Sequence, residues 1–386
     1  MAPPVVHLHI GSPKTGTTYV QNVLWANRQA LETDGVLLPG HYRYARVQAT
    51  RDLLKWDPEQ TPAPPATWER IAAEIGRWSG RSAVFSMEFL CWAAIEPAQH
   101  LIGSLGPSQV KVILTTRDLA RLVPAQWQTS MRQRNTWTLD EYAAAVAGEG
   151  TGKKGRDAAR HFWRRHDYGK ILARWGELVG VENLTVVTLP PSGGDPDELW
   201  RRFAAAADLG DHAFQTGDAS HESLGAASAE VMRRLNATDV INEMTMRSYH
   251  KSVNGALTRR VLSERRSREP GLSLPTAHSE WAAREATRVI SEIEAVGPRV
   301  IGDLADLTPR PGKAEPVVPE SLPAADLLAA AIDGLTGLAA EYAKQRDKID
   351  ELEAAQSGQR GRLKPVARSG GLSGLKDKWR RRPTRG

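Results

Sequence analysis

The first apolar run and the loop behind it constrain this chain more than any other stretch of its 386 residues. Residues 5–10 form a short run rich in apolar and β-branched side chains, which is typical of a buried strand. Residues 11–18 contain two glycines, a proline and four hydroxyl side chains, which is typical of a turn. Between residues 19 and 31, one helical face carries the apolar residues Val20, Val23, Leu24 and Leu31. The predicted order is therefore strand, polar loop and helix.

A loop between a strand and a helix N-terminus can form an anion site. Its backbone N–H groups point to one spot, and the partial positive charge of the helix N-terminus favours a negative ligand there. Lys14 adds a full positive charge, and Thr17 and Thr18 add hydroxyl donors. We therefore expect a phosphate group to bind at this loop.

The position of the lysine separates two kinds of phosphate loop. In a Walker A loop the lysine directly follows the last glycine and precedes a serine or threonine. Here Lys14 stands two residues before Gly16, in the order Pro-Lys-Thr-Gly-Thr-Thr-Tyr. That order resembles the 5′-phosphosulfate loop of the sulfotransferases that use 3′-phosphoadenosine 5′-phosphosulfate (PAPS).

The resemblance implies that the loop binds PAPS as the sulfuryl donor. In that family the lysine, here Lys14, contacts the bridging oxygen and the transferring group. The threonine pair, here Thr17 and Thr18, holds the 5′-phosphate, and the next aromatic residue, Tyr19, lies near the adenine. The cofactor-binding residues expected in the loop are Ser12, Pro13, Lys14, Thr15, Gly16, Thr17, Thr18 and Tyr19.

A second element of the same family is a strand that ends in an arginine, with a serine about eight residues later, both binding the 3′-phosphate. Residues 110–116 read as a strand, and Arg117 follows it. Eight residues past Arg117 stands Ala125, so the chain departs from the family pattern there. Gln128, one turn further on the same helix face, or Arg121 can supply the missing donor. We take Arg117 and Gln128 as the predicted ligands, with Arg121 as the alternative.

Two residues are candidates for the catalytic base. Glu88 belongs to a predicted strand, residues 82–90, and the apolar neighbours of this carboxylate make its burial costly unless it has a role. His41 follows the predicted strand 35–39, in a charged segment where an idle histidine is common. We favour Glu88 as the base and Lys14 as the second catalytic residue. His7 and His9 share a strand face, but nothing else supplies the spacing of metal ligands, so no metal is predicted.

Strand-like and helix-like segments alternate up to residue 189, which predicts an α/β fold with a central parallel sheet flanked by helices. The resemblance implies a P-loop-NTPase-like sulfotransferase architecture. A helix is expected to begin near Pro124, a residue suited to a first helical turn. In such sheets ligands bind beyond the carboxyl ends of the strands. The loop at residues 11–18, the segment 86–88 and Arg117 all fall at such ends.

Five segments are predicted along the chain. Residues 1–210 form the α/β core, and 211–307 form a helical part docked on it, with 300–307 as a closing element. Residues 308–323 are rich in proline and read as a linker. Residues 324–357 carry apolar side chains in steps of three and four, which fits a coiled coil or a single amphipathic helix. Residues 358–386 read as a basic, disordered tail.

The charge and the cysteine content indicate the cellular environment of the protein. The net charge is +6, and the tail from residue 358 carries ten Lys/Arg and one Asp, or +9, so the body carries 6 − 9 = −3. Such a tail is attracted to an anionic membrane surface, whereas specific nucleic-acid binding is not expected because no recognition motif is found. A single cysteine, Cys91, fits a reducing compartment. We expect a cytoplasmic protein, peripheral at the inner face of the membrane.

These observations favour a sulfotransferase that moves a sulfuryl group from PAPS to a hydroxyl or amine. The acceptor stays open among glycans, lipids and small molecules, and the helix at 324–357 suggests a homo-oligomer. One alternative is a nucleotide-dependent kinase or NTPase, which the position of Lys14 disfavours. The other is a non-catalytic scaffold that acts through its C-terminal helix and basic tail.

Overall fold

One parallel sheet of six strands organises the part of the chain that this computed structural model describes, namely residues 3–56, 64–210, 214–216, 223–310 and 317–362, with side chains up to residue 356. The strands are Val5–Gly11 (β1), Val36–Leu37 (β2), Ser82–Ser86 (β3), Val110–Thr116 (β4), Leu184–Thr188 (β5) and Arg299–Ile301 (β6). Their order is β2-β3-β1-β4-β5-β6, and all neighbours pair in parallel. The predicted α/β fold with a central parallel sheet is confirmed.

Helices follow most strands and bury the sheet. The helices up to residue 206 are Thr17–Ala26 (α1), Arg28–Thr33 (α2), Ala45–Leu54 (α3), Thr67–Gly76 (α4), Ile95–Ser104 (α5), Leu119–Met131 (α6), Leu139–Val146 (α7), Gly152–His166 (α8), Tyr168–Val179 (α9) and Glu198–Ala206 (α10). Successive residues of a strand face opposite sides of its sheet. Since all residues from Val6 to Ile10 are buried, β1 is covered on both faces.

The C-terminal part is mainly helical, as predicted. Its helices are Ala226–Asn236 (α11), Asp239–Glu243 (α12), Met246–Tyr249 (α13), Ser279–Val296 (α14) and Ala324–Arg362 (α15), with a π-helical segment at His250–Arg259. The chain divides into two compact units, Met1–Gly334 and Leu335–Gly386. The predicted boundaries at residues 210, 307 and 323 stay predictions.

Two predicted boundaries were wrong. The third strand ends at Ser86 and not at residue 90, because a 3₁₀ helix, Glu88–Trp92, turns the chain at the sheet edge. Helix α6 begins at Leu119 and not near Pro124, because Asp118 caps it by accepting a hydrogen bond from the Arg121 N–H at 3.0 Å. Pro124 therefore lies inside the helix.

The predicted closing element, residues 300–307, overlaps a sixth strand that sequence reasoning missed. Strand β6 pairs with β5, with Val300 opposite Val186. Strand β6 has only three residues. It is therefore too short to show the apolar run by which the longer strands were predicted. A 3₁₀ turn, Leu304–Leu307, follows it.

The predicted C-terminal helix is present as α15, which extends five residues beyond the expected end at residue 357. The basic tail lies outside the described residues from residue 363 onward, so its predicted disorder and membrane contact stay predictions. Across the described ranges, no helix is both long enough and apolar enough to cross a membrane.

Candidate active site

The loop between β1 and α1 depends on two glycines with left-handed backbone conformations. Gly11 has φ +101°, and a Cβ there would lie 2.8 Å from the Cα of Glu88. Gly16, the residue before α1, has φ +83°, and a Cβ there would lie 2.3 Å from the Leu199 side chain of α10. A side chain at Gly11 would meet backbone that cannot easily move. The loop can therefore turn at the sheet edge, directly beside Glu88, only with glycine at this position.

Two hydroxyl residues tie the loop to strand β4. Thr15 Oγ1 donates to the Ser12 carbonyl at 2.6 Å and hydrogen-bonds to Thr115 Oγ1 at 2.5 Å. The Ser12 N–H donates to the Thr115 carbonyl at 3.0 Å. Both Ser12 and Thr15 are fully buried. These two predicted cofactor ligands therefore fix the loop to strand β4.

A histidine that sequence reasoning missed supports the same loop. His166, the last residue of α8, hydrogen-bonds through Nδ1 to Ser12 Oγ at 3.2 Å. Its Nε2 is buried without a hydrogen-bond partner among the described residues. Burial, reinforced by the nearby charge of Arg165, lowers the pKa of His166 to about 3. At neutral pH the imidazole is therefore uncharged, and its role is to position Ser12.

The carboxyl ends of β1, β3 and β4 border an open cleft with a volume of about 1060 Å³. Five of the predicted loop ligands line it: Pro13, Lys14, Gly16, Thr17 and Thr18. Glu88, from the turn after β3, and Arg117, from the end of β4, line it as well. The fold thus brings both predicted catalytic residues and the predicted 3′-phosphate arginine to one cleft, as the parallel sheet requires of residues at strand ends.

Arg117 is half-buried beside the loop. Its Nη1 donates to the carbonyl oxygen of Lys14 at 2.9 Å, and its Nε is buried without a partner in the described part of the chain. Burial, together with the charge of Arg121, lowers the pKa of Arg117 to about 10, so the guanidinium stays charged at neutral pH. No carboxylate among the described residues forms an ion pair with it. A partly desolvated cation without a carboxylate partner favours an anionic ligand.

Glu88 is half-buried on the opposite side of the loop. One carboxylate oxygen, Oε2, accepts a hydrogen bond from Gln21 Nε2 of α1 at 2.8 Å. Burial lowers the pKa of Arg46 to about 10, and the charge of Glu88 opposes that shift. Glu88 is therefore an oriented carboxylate at the cleft wall, with a cation nearby.

The other predicted ligands are not brought to the cleft. Gln128 is paired with the backbone of Leu224, donating to its carbonyl at 2.9 Å and accepting from its N–H at 3.1 Å. The Arg121 guanidinium pairs with Asp118 and donates to the Pro190 carbonyl at 2.9 Å.

The remaining two candidates also lie away from the cleft lining. Tyr19 packs against the core and donates from its hydroxyl to Asp197 at 3.1 Å. Burial raises the pKa of Tyr19. His41 is exposed.

One wall of the cleft comes from residues that were not among the predicted site residues. Helix α8 contributes Lys153, Lys154, His161 and Arg165, and aromatic side chains come from Trp56, Phe89, Trp92, Trp137 and Tyr142. Lys154 Nζ lies 4.3 Å from the Trp137 ring centroid, and the Arg165 guanidinium lies 4.8 Å from that of Trp92. The available signal was the strongly basic composition of residues 152–166, which contain six Lys/Arg and one acidic residue.

The tryptophans near the site divide into two groups. Trp92 and Trp137 line the cleft, whereas Trp127 is fully buried and donates its indole N–H to the Trp137 carbonyl at 3.0 Å. His9 is also buried and hydrogen-bonds to Ser86 Oγ at 2.8 Å, so it belongs to the sheet interior. Among the described residues, no group of three or more His, Cys, Asp and Glu side chains could hold a metal ion.

No protein-family model and no curated protein matches the sequence. Among solved structures, the chain is similar to a sulfotransferase from Alicyclobacillus acidocaldarius, with 15% identity and a TM-score of 0.37. The match covers 65% of this chain and 100% of that one. A TM-score of this size does not establish a shared fold.

Proposed function

We propose that this protein is a PAPS-dependent sulfotransferase that transfers a sulfuryl group to a hydroxyl or amine acceptor. The observation that carries the proposal is the meeting of Lys14, Arg117 and Glu88 at one cleft, although they lie on three different strand ends. Each has a separate chemical task in this reaction. The proposal rests on the loop pattern at residues 11–19 together with this arrangement.

The residues at the cleft fit the donor because PAPS carries anionic groups at both ends. The loop at residues 14–16 and the start of α1 offer backbone N–H groups to the 5′-phosphosulfate. Arg117 has a planar fork of donors and lacks a carboxylate partner among the described residues, which suits a terminal 3′-phosphate. Gln128 is paired to Leu224 and does not line the cleft, whereas Thr129 and Ser130 do. Their hydroxyls donate to the carbonyls of Ala125 at 3.2 Å and Trp127 at 2.8 Å, and each would have to rotate away to serve as the second 3′-phosphate donor.

The chemistry requires a charge partner and a base. Bound PAPS supplies an activated sulfuryl group, whose bond to the bridging oxygen breaks as the acceptor attacks sulfur. Lys14 stabilises the negative charge that builds on that oxygen. One such donor lowers the activation barrier by about 3 kcal/mol. Glu88 takes the proton that the acceptor hydroxyl or amine loses. Gln21 orients Glu88 for this task through the hydrogen bond to Oε2.

The acceptor would lie against the aromatic and basic wall. Flat rings such as Trp92 and Trp137 stack on sugars and aromatic acceptors. Apart from Lys14 and Arg117, which are assigned to the donor, the described lining of the cleft contains Lys153, Lys154 and Arg165, and away from Glu88 its carboxylate is Asp157. This excess of positive charge favours an acceptor that is itself anionic, beyond the charges of the donor.

Ligand-induced stabilisation separates the proposal from its alternatives. We expect PAPS and its product, adenosine 3′,5′-bisphosphate, to raise the melting temperature, because a ligand at a hundred times its Kd adds about 2.7 kcal/mol to the unfolding free energy. ATP with Mg²⁺ should give a smaller shift. The reverse order would favour a kinase or NTPase, and no shift with any nucleotide would favour a scaffold. Incubation of cell extracts with labelled PAPS, followed by a mass-spectrometric search for sulfated products, then identifies the acceptor.

A further inference from the structure

Helix α15 exposes a row of large apolar side chains at seven-residue spacing. Leu328, Leu335, Tyr342 and Ile349 are 60%, 67%, 68% and 41% exposed. On a different face near its start, the same helix buries Leu327 and Ala330 against Ala227. The exposed row is therefore separate from the face that this first part of the helix packs against the body of the protein.

The spacing of this row defines a heptad register. With Leu328, Leu335, Tyr342 and Ile349 at position a, position d is occupied by Ala331, Leu338, Gln345 and Leu352. The pattern covers about three and a half heptads, and α15 is helical through all of it. Apolar residues at a and d form the seam along which two helices supercoil.

The charges beside the seam indicate which partner fits. In a parallel coiled coil, position g of one helix faces position e of the next heptad on its partner, five residues later. Glu341 at g and Arg346 at e are five residues apart, and so are Lys348 at g and Glu353 at e. Both combinations join opposite charges, and two-fold symmetry forms each of them twice. An antiparallel pair faces e with e and g with g, so it loses these four contacts.

The present ion pairs of Arg346 and Lys348 do not oppose such an exchange. Arg346 lies 3.6 Å from Asp350 and Lys348 lies 2.9 Å from Glu351, both within α15 and both exposed. Exposed pairs of this kind contribute little. Gln345 adds a register signal, because a polar residue in the seam is best satisfied opposite its own copy.

We propose that a second copy of this chain binds along the Leu328–Leu352 seam of α15 as a parallel, in-register, two-stranded coiled coil. This goes beyond the proposed function and does not depend on it. Complementary g and e charges favour the same sequence as the partner, and the exposed apolar row supplies the surface that the two copies bury.

Sedimentation equilibrium of the full-length protein between about 1 and 100 µM tests the proposal. We expect the wild type to dimerise and Leu335→Asp to be monomeric. Glu341→Lys places like charges together twice and should weaken dimerisation about tenfold. Adding Arg346→Glu to that variant restores opposite charges and should restore the affinity. Asp347→Lys makes the same charge change at position f, away from the seam, and should leave dimerisation nearly unchanged.

Orientation is tested by cross-linking. A Leu335→Cys variant should form a disulfide-linked dimer on mild oxidation, because position a faces its own copy only in a parallel, in-register pair. The native Cys91 is buried and serves as the control in the wild type. A monomer at 100 µM, a dimer that Leu335→Asp leaves intact, a charge-swapped double variant no tighter than Glu341→Lys, or failure of the cysteine variant to cross-link would each overturn the proposal.

Discussion

The guanidinium of Arg117 donates a hydrogen bond of 2.9 Å to the carbonyl oxygen of Lys14. The end of β4 thereby holds the loop that follows β1, at the residue proposed to contact the transferring group. Because Arg117 uses Nη1 for this contact, the same side chain can both support the loop and offer its remaining N–H groups to a phosphate. Loop geometry and anion binding are therefore expected to change together when this arginine changes.

Replacing Arg117 by lysine tests that coupling. Arg117→Lys keeps the positive charge but removes the planar fork of donors, so the affinity for adenosine 3′,5′-bisphosphate should fall about 10- to 100-fold. Isothermal titration calorimetry measures the change. Arg284→Lys is a matched control, since Arg284 is 71% exposed on α14. Equal affinity in Arg117→Lys and the wild type would remove Arg117 from the donor site.

The loop lysine is expected to act mainly in the transition state. Lys14→Ala should lower kcat at least about a hundredfold with PAPS as donor, because the charge partner of the bridging oxygen is lost. The melting temperature should change little, since a side chain at the cleft wall carries no core packing. Lys344→Ala, at an exposed position of α15, controls for the loss of a lysine. Normal turnover in Lys14→Ala would exclude the proposed role.

Glu88 is tested by a change that keeps its shape. Glu88→Gln retains hydrogen-bonding capacity but cannot accept a proton, so kcat should fall by about 10²- to 10⁴-fold while bisphosphate affinity stays nearly constant. Single-turnover kinetics at saturating PAPS separates the two effects. If binding collapses and the rate at saturation is normal, Glu88 orients the donor and is not the base.

The buried histidines predict a loss of stability in mild acid. Burial lowers the pKa of His9 and His166 from 6.5 to about 3. Between these values the unfolded chain binds protons that the folded chain does not, so the unfolding free energy falls as the pH falls from 6.5 toward 3. The expected slope is about 1.4 kcal/mol per pH unit for each histidine.

Urea unfolding at pH 7 and pH 5 measures this effect. Burial also lowers the pKa of His7, to about 4, so three buried histidines contribute. His9→Gln removes one of these three titrating groups, so its stability should depend less on pH than that of the wild type, whatever its absolute value. The exposed His41 provides the control, and His41→Gln should keep the wild-type slope. Identical slopes in all three proteins would contradict the proposed cause.

The basic tail is predicted from its sequence to bind anionic membranes. A chain cut after Gln356 loses ten Lys/Arg and one Asp. It should keep its affinity for adenosine 3′,5′-bisphosphate but no longer sediment with phosphatidylserine-containing vesicles at low salt. Pure phosphatidylcholine vesicles are the control. Equal vesicle binding by the full-length and shortened proteins would rule out this role of the tail.

The sequence alone was sufficient for the features that depend on local patterns. The strand, loop and first helix at residues 5–26 are encoded by apolar spacing and turn residues, whereas the predicted helix to residue 31 breaks at Asn27 into α1 and α2. The strand at 110–116 is encoded by a run of apolar and β-branched residues that Lys111 interrupts. Parallel pairing then follows from the alternation of strands and helices, and it places Lys14, Glu88 and Arg117 at the same sheet edge. These inferences succeeded because each rests on residues that are close in sequence or on a general rule of sheet topology.

Other features were decided by contacts between distant segments. Gln128 has the right position on its helix, but Leu224, 96 residues later, occupies its amide. Ser12 and Thr15 belong to the loop motif, yet their hydroxyls are directed to His166 and Thr115. Side-chain polarity predicts that a group will be hydrogen-bonded but not by which partner, because the partner is chosen by packing. Tertiary structure alone therefore separated the residues that line the cleft from those that support it.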